Sequence, residues 1–369
     1  LATLRRMTDI ERWLGDFAGA LDRKDIKAAA GLFHEPGYWR DLVAFTWNIV
    51  TFEDRASIAG MLEARLADVA PRGFALDGDD GWFTFETAVG RGRGHVRLRD
   101  GRAHTLFTAL RELKGFEEKA GPTRETGVQH GAVRGRVTWT DRRQADAGEL
   151  GIVRQPFVLV IGGGQGGIGL AARLKRIGVP ALVIDRLPRP GDAWRRRYKS
   201  LCLHDPVWYD HLPYLPFPEH WPIYTPKDKM GDWLEAYTTI MELDYWSSTT
   251  CRRATWDEAR RDWSVEVERE GRTLTLRPKH VVLATGMSAD LWEHGADVTM
   301  VQRSPTLVMR SESLVRGRTL YSEEAVRSGI DVDKADLMTA SLPFALQAGA
   351  VKPFVDHVRR DDADFYRRL

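Results

Sequence analysis

The sequence predicts an α/β chain, with a three-layer domain built on a parallel sheet and a smaller α+β domain ahead of it. Three observations carry this. The apolar run Val158-Leu159-Val160-Ile161 leads directly into Gly162-Gly163-Gly164-Gln165-Gly166-Gly167. A helical stretch follows, and a second apolar run, Ala181-Leu182-Val183-Ile184, ends on Asp185. Residues 8 to about 115 carry separate helical and alternating patterns that end before this unit begins.

Strand, glycine turn, helix, strand and acid in that order make a βαβ unit of the Rossmann type. The spacing of Gly162, Gly164 and Gly167 is G-x-G-x-x-G. Such glycines let the backbone turn sharply and approach a pyrophosphate, whose charge then meets the exposed N–H groups and dipole of the helix N-terminus. Asp185 stands about 20 residues on, the distance expected for a ribose contact. An acid there, in place of arginine, favours an adenosine ribose with a free 2′-OH, as in FAD or NAD. Gly166 inside the turn and Arg186 beside the acid join the candidate cofactor-binding residues.

At 369 residues the chain is long enough for two or three domains with full cores. Its 54 basic and 52 acidic residues nearly cancel, so composition points to neither nucleic acid nor an anionic membrane as partner. Cys202 and Cys251 are too few for a disulfide framework or a thiolate metal cluster, and suit a reducing compartment. No apolar run reaches about 18 residues and no signal-peptide h-region opens the chain, so a soluble cytoplasmic protein is expected. The chain opens on Leu1 with a candidate start at Met7, which leaves room for further leading residues.

Within 1–115, Thr8 and Glu11 read as a capping box, followed by Ile10, Trp13, Leu14, Phe17 and Leu21 on one helical stripe. After Pro36-Gly37 a strand is expected through Leu42–Val50, then a helix from about Ser57 to Val69. From Trp82 to Leu110 the pattern alternates, with a hairpin turn at Asp100-Gly101. Helices followed by an antiparallel sheet imply an open cone, and this order resembles the SnoaL-like (polyketide-cyclase-like) fold. His34 and Asp41 read as ordinary packed or surface polar residues in preference to an acid–base pair. Residues 116–155 read as a polar linker, with Arg142-Arg143-Gln144 a solvated face.

Residues 156–289 continue the dinucleotide domain. Asp185 is followed by Gly191-Asp192-Ala193-Trp194, by Leu203-His204-Asp205, and by a helix holding Trp233, Leu234 and Tyr237. A hairpin turning at Glu270-Gly271 then leads to the apolar strand His280–Leu283 and the small-residue turn Ala284-Thr285-Gly286. This ordered set resembles the flavin-containing monooxygenases, above all their YUCCA-like branch. The resemblance implies FAD, with Gly162, Gly164, Gly167 and Asp185 on its pyrophosphate and ribose. It places Gly191, Trp194, His204 and Asp205 beside the flavin half and closes Thr285 and Gly286 over the cofactor.

The family has a second dinucleotide fold, for NADPH, and residues 290–320 read as a remnant of it: the end of a helix, a turn at His294-Gly295 and a strand ending on Arg303-Ser304. A planar guanidinium at a strand end can pair two oxygens of a 2′-phosphate. A full βαβ unit needs roughly 30 residues, too many for the interval from Gly286 to Arg303. Residues are therefore expected to be missing after Ala289, with a second such join within Leu314–Thr319. Residues 321–369 are expected to be helical and to return towards the FAD domain, short of the family's closing elements.

What the resemblance implies is an NADPH- and O2-dependent monooxygenase that acts on a small organic substrate through a flavin C4a-hydroperoxide, at a soft N or S atom or at a carbonyl carbon. The bond chemistry then belongs to the cofactor, so no catalytic side chain is named. No metal is expected, and a homodimer is compatible with the reading. Two alternatives stand beside it. A different FAD/NAD(P) oxidoreductase, such as a disulfide reductase, needs a redox cysteine pair, and the chain has no C-x-x-C. A ligand- or partner-binding protein with a degenerate flavin domain is the other.

Overall fold

The computed structural model describes residues 8–128, 130–203, 206–207, 210–285, 320, 323–343 and 346. The expectations for His204, Asp205, Gly286, Arg303 and Ser304, for the joins after Ala289 and near Leu314, and for the partial second Rossmann unit lie outside them. Among the described residues, 8–117 and 323–343 form one compact unit and 118–285 another. No helix among them is long and apolar enough to cross a membrane.

The first unit runs α1 (Asp9–Asp22), α2 (Ile26–Gly31), β1 (Phe33–Leu42), β2 (Ile49–Phe52), α3 (Arg55–Val69), β3 (Arg72–Leu76), β4 (Trp82–Glu86), β5 (Gly90–Arg99) and β6 (Arg102–Leu113). The Thr8–Glu11 capping box opens α1, whose stripe buries Trp13, Leu14, Phe17, Ala20 and Leu21. The six strands form one sheet in the order β2-β1-β6-β5-β4-β3. All neighbours are antiparallel except β1 and β6, so the sheet is mixed. The β5–β6 hairpin turns at Asp100-Gly101, both with positive φ, as a two-residue loop of this twist requires. One face of the sheet packs with α1 to α3 on an aromatic core that includes Phe33, Trp39, Phe45, Phe83 and Phe85.

Only the ends of the strand expected over Leu42–Val50 are strand, Leu42 closing β1 and Ile49-Val50 opening β2; residues 43–48 between them are the turn. The cause is Asp41, fully buried, whose carboxylate accepts from the backbone N–H of Phe45 and Thr46, from the Thr46 hydroxyl and from the Thr108 hydroxyl. Those bonds gather the chain into a loop with Val43 and Trp47 at positive φ. Pro36-Gly37 lies inside β1, where a register shift against β6 between Phe33 and Tyr38 accommodates it. Asp41 is thus a structural acceptor, and His34 bonds the Arg99 carbonyl.

Helices α8 (Glu323–Arg327) and α9 (Val332–Ala340) belong to this unit as well. The expected return of 321–369 towards the FAD domain is not what α9 does. Its Leu337 packs with Trp82, Phe107 and Ala109 on the second face of the six-stranded sheet. Arg40 donates to the Ala340 carbonyl at the C-terminal end of α9 and Arg111 pairs with Asp333 in its first turn, so each charge opposes the local helix dipole or completes an ion pair.

The second unit contains α4 (Trp139–Glu149), β7 (Val158–Ile161), α5 (Gln165–Arg176), β8 (Ala181–Ile184), α6 (Asp192–Arg195), α7 (Lys227–Ile240), β9 (Tyr245–Trp246), β10 (Thr249–Asp257), β11 (Asp262–Arg269), β12 (Arg272–Leu276) and β13 (His280–Leu283). A parallel sheet in the order β13-β7-β8-β9 is its middle layer. Strand residues alternate between faces. Val158, Val160 and Val183 pack on α5 and α7, while Leu159, Leu182 and Ile184 pack on the β10-β11-β12 meander through Val265, Val267 and Leu276. The three-layer expectation therefore holds.

The stretch 116–155 is not a bare linker, because it contains α4. That helix buries none of its residues, so no apolar period announced it. Its one local sign is the Thr138–Asp141 capping box, which sequence reasoning passed over. Arg143 is also not a solvated side chain: it is half-buried, donates to the Glu242 carbonyl and pairs with Asp244.

Candidate functional site

The turn between β7 and α5 assigns each glycine a different task. Gly162 has φ +108, and a Cβ there would stand 2.6 Å from the Ala284 carbonyl oxygen and 3.0 Å from the Thr285 nitrogen. Only glycine lets the Ala284-Thr285 turn at the end of β13 lie so close. A Cβ on Gly167 would meet the Gly162 carbonyl oxygen at 2.1 Å, so the third glycine lets helix and strand pack backbone to backbone. Gly164 and Gly166 differ, since no atom lies within 4 Å of a Cβ on either. The open side of the turn is thus at the second glycine and the first helical turn.

Gly164 is also the N-cap of α5 and offers no side-chain cap. The first N–H groups of the helix therefore lack the side-chain acceptor that usually serves them, which suits them to a phosphate. Asp185, just past β8, is oriented by two backbone donors, Gly163 N–H at 2.6 Å and Leu187 N–H at 2.8 Å. A carboxylate has about four acceptor sites, so ribose hydroxyls still find room. Arg186 is exposed beside it. Open glycines, an uncapped helix and an oriented acid fit a dinucleotide.

Gly191 and Trp194 join the same region by packing. Gly191 has φ +84, and a Cβ would meet the Gly231 carbonyl oxygen of α7 at 2.1 Å, so α6 rests directly on α7. Arg195, held by Asp192 of its own helix, ties α6 to α7 through Asp232 and Glu235. From α6 the Trp194 indole N–H donates to the Gln165 side chain at 3.1 Å, which brings the tryptophan to the first residue of α5. Gly162, Gly164, Gly166, Gly167, Asp185, Trp194 and Thr285 are thus assembled around one turn.

Sequence reasoning passed over Tyr245. Its hydroxyl reaches the Gly163 carbonyl at 3.5 Å from 82 positions along the chain. Burial, and next the nearby Asp185 carboxylate, push this phenol well above the usual tyrosine range, so it stays a donor. Tyr245 also walls an open cleft of about 430 Å³, shared with Trp139, Arg143, Thr238 and Glu242. No local pattern marks it, because its strand has two residues.

No family model matches the chain. The indole-3-pyruvate monooxygenase YUCCA1 of Oryza sativa subsp. japonica is 36% identical over 136 residues, 37% of this chain and 33% of that protein. A probable indole-3-pyruvate monooxygenase, YUCCA9 of Arabidopsis thaliana, is 32% identical over 133 residues, 36% of this chain and 32% of its own. The chain spans about a third of the length of these curated relatives. Among solved structures, a flavin-containing monooxygenase from Stenotrophomonas maltophilia aligns over 35% of this chain and 38% of its own, with 27% identity and a TM-score of 0.32. The open form of cyclohexanone monooxygenase aligns over 36% and 27%, with 21% identity and a TM-score of 0.32. Over about a third of its length the chain is thus similar to flavin monooxygenases, with that likeness in the YUCCA branch.

Proposed function

We propose that the second unit holds FAD and that the whole protein is an NADPH- and O2-dependent monooxygenase of a small organic substrate. The observation that carries this is the division among the glycines: Gly162 and Gly167 are closed by the chain itself, whereas Gly164 and Gly166 are open. What sets the open Gly164 apart from a bare glycine in a plain turn is its place at the uncapped N-terminus of α5, beside the oriented Asp185. The YUCCA-branch relatives support the flavin reading over other dinucleotides.

FAD reduced by NADPH supplies transfer of one oxygen atom from O2, to a soft N or S atom or to a carbonyl carbon, the latter including oxidative decarboxylation. The chain's own residues bind and orient. The N–H groups opening α5 take the pyrophosphate, and Asp185 takes the ribose hydroxyls. Trp194, held by Gln165, and Thr285, against Gly162, are proposed to cover the cofactor and keep water out. His204, Asp205 and Gly286 are assigned beside them, and Arg303 with Ser304 to the 2′-phosphate of NADPH, from the sequence alone. The first unit, with its helices packed on a six-stranded sheet, is read as SnoaL-like.

The test is direct. The purified protein should be yellow, release FAD on denaturation, and consume O2 with NADPH. A colourless protein that takes up no added FAD would end the reading. Arg303→Ala should weaken NADPH by about 1.5–3 kcal/mol, the scale of a charged hydrogen bond, and spare NADH. Equal effects on both would remove Arg303 from the site.

A further inference from the structure

Gly163 is neither open nor closed by backbone. A Cβ on it would stand 1.9 Å from the Tyr245 hydroxyl oxygen, 2.5 Å from Cζ and 2.6 Å from Cε2. The space a side chain at 163 would fill is thus taken by the tip of a phenol from β9. Tyr245 pairs in the sheet with Val183, two residues before Asp185, and from there its ring reaches the turn. The two residues hold Gly163 from both sides. Its N–H donates to Asp185 at 2.6 Å, and its carbonyl accepts from Tyr245 at 3.5 Å.

We propose that Tyr245 positions the cofactor turn and forms a matched pair with Gly163: one of the two positions has to be small for the peptide between Gly162 and Gly164 to keep its binding shape. The proposal rests on the reading of this turn as the FAD pyrophosphate site. The physical reason is rigidity. Ring atoms cannot yield as the end of a flexible side chain can, because Tyr245 is half-buried against the α5 and α7 layer. A methyl group at 163 then has to move the backbone that carries Gly164. Shortening residue 245 removes the obstacle.

The experiment is a double-mutant cycle in the full chain, with Gly163→Ala, Tyr245→Leu and the pair, read by FAD titration through quenching of flavin fluorescence and by the visible circular dichroism of bound flavin. Gly163→Ala is expected to weaken FAD binding by about tenfold or more, the scale of overpacking by one methyl group. Adding Tyr245→Leu should recover most of that loss and the bound-flavin dichroism. Unchanged affinity in Gly163→Ala, or no recovery in the pair, would overturn the proposal. If Gly163→Ala does not fold, soluble expression of the pair takes the place of affinity, and failure to restore it counts against the proposal. If the wild-type chain binds no FAD, the cofactor reading fails. The pair is then judged by the same cycle in thermal melting, where coupling supports it and additivity overturns it.

Discussion

The Gly162 carbonyl oxygen stands 2.1 Å from where a Cβ on Gly167 would lie, while nothing stands within 4 Å of one on Gly164. Two glycines of one fingerprint therefore fail differently. Gly167→Ala should destabilise the second unit by about 1–3 kcal/mol, since helix and strand have to separate. Gly164→Asp should fold as the wild type but purify without flavin, because it sets a side chain and a negative charge at an uncapped helix N-terminus. Melting curves and extracted flavin separate the two outcomes. Normal FAD content in Gly164→Asp would remove the pyrophosphate from this turn.

Asp41 is the second testable position. It is fully buried and accepts from two backbone N–H groups and two hydroxyls, so Asp41→Ala leaves both N–H groups and the Thr108 hydroxyl without an acceptor and the Thr46 hydroxyl with only the Asn48 carbonyl. A loss of about 2–4 kcal/mol is expected, the scale of leaving several buried donors unsatisfied. His34→Ala, on an exposed partner bond, should stay within about 0.5 kcal/mol. Urea unfolding measures both. Comparable small losses would show that the carboxylate is not what folds the β1–β2 turn.

These residues also mark what the sequence could and could not reveal. The fingerprint, the α1 stripe and the Asp100-Gly101 hairpin were readable because glycine conformation, helical period and two-residue turns are local demands. The Asp41 turn was not, since one of its donors, Thr108, lies 67 residues away. Tyr245 escaped for the same reason, and α4 because a helix without a buried face has no period to detect. The place of α9 is a tertiary fact. Its short apolar pattern would suit any uncovered face, and the sheet face bearing Trp82 and Phe107 is the one it covers.

His95 predicts an acid transition in the first unit. Burial is the main reason its pKa falls from 6.5 to about 4, helped by the nearby Arg97 guanidinium. Between those values the unfolded chain binds a proton that the folded one refuses, so stability is full above about pH 6.5 and falls as pH drops towards 4. The loss is on the order of 3 kcal/mol. His95→Phe keeps an aromatic ring against Trp82, whose ring centroid lies 4.6 Å away, and should flatten the dependence. Denaturant midpoints at several pH values check it; an unchanged slope in the variant would acquit His95.

The hold of α9 on the sheet should come from Leu337 and much less from its ion pair. Leu337 is 5% exposed and packs among Trp82, Phe107 and Ala109. The Arg111–Asp333 pair is solvent-exposed, with side chains 40% and 54% accessible. Exposed pairs contribute about 0–1 kcal/mol, whereas truncating a buried leucine costs about 2–5 kcal/mol. Leu337→Ala should therefore speed amide exchange across Val332–Ala340 many-fold, and Arg111→Ala should change it little, most of that at low salt. Equal acceleration by both would mean that charge, not burial, seats the helix. No acceleration by Leu337→Ala would mean that the Arg40 bond to the Ala340 carbonyl and the Arg97 bond to Ser341 are sufficient by themselves.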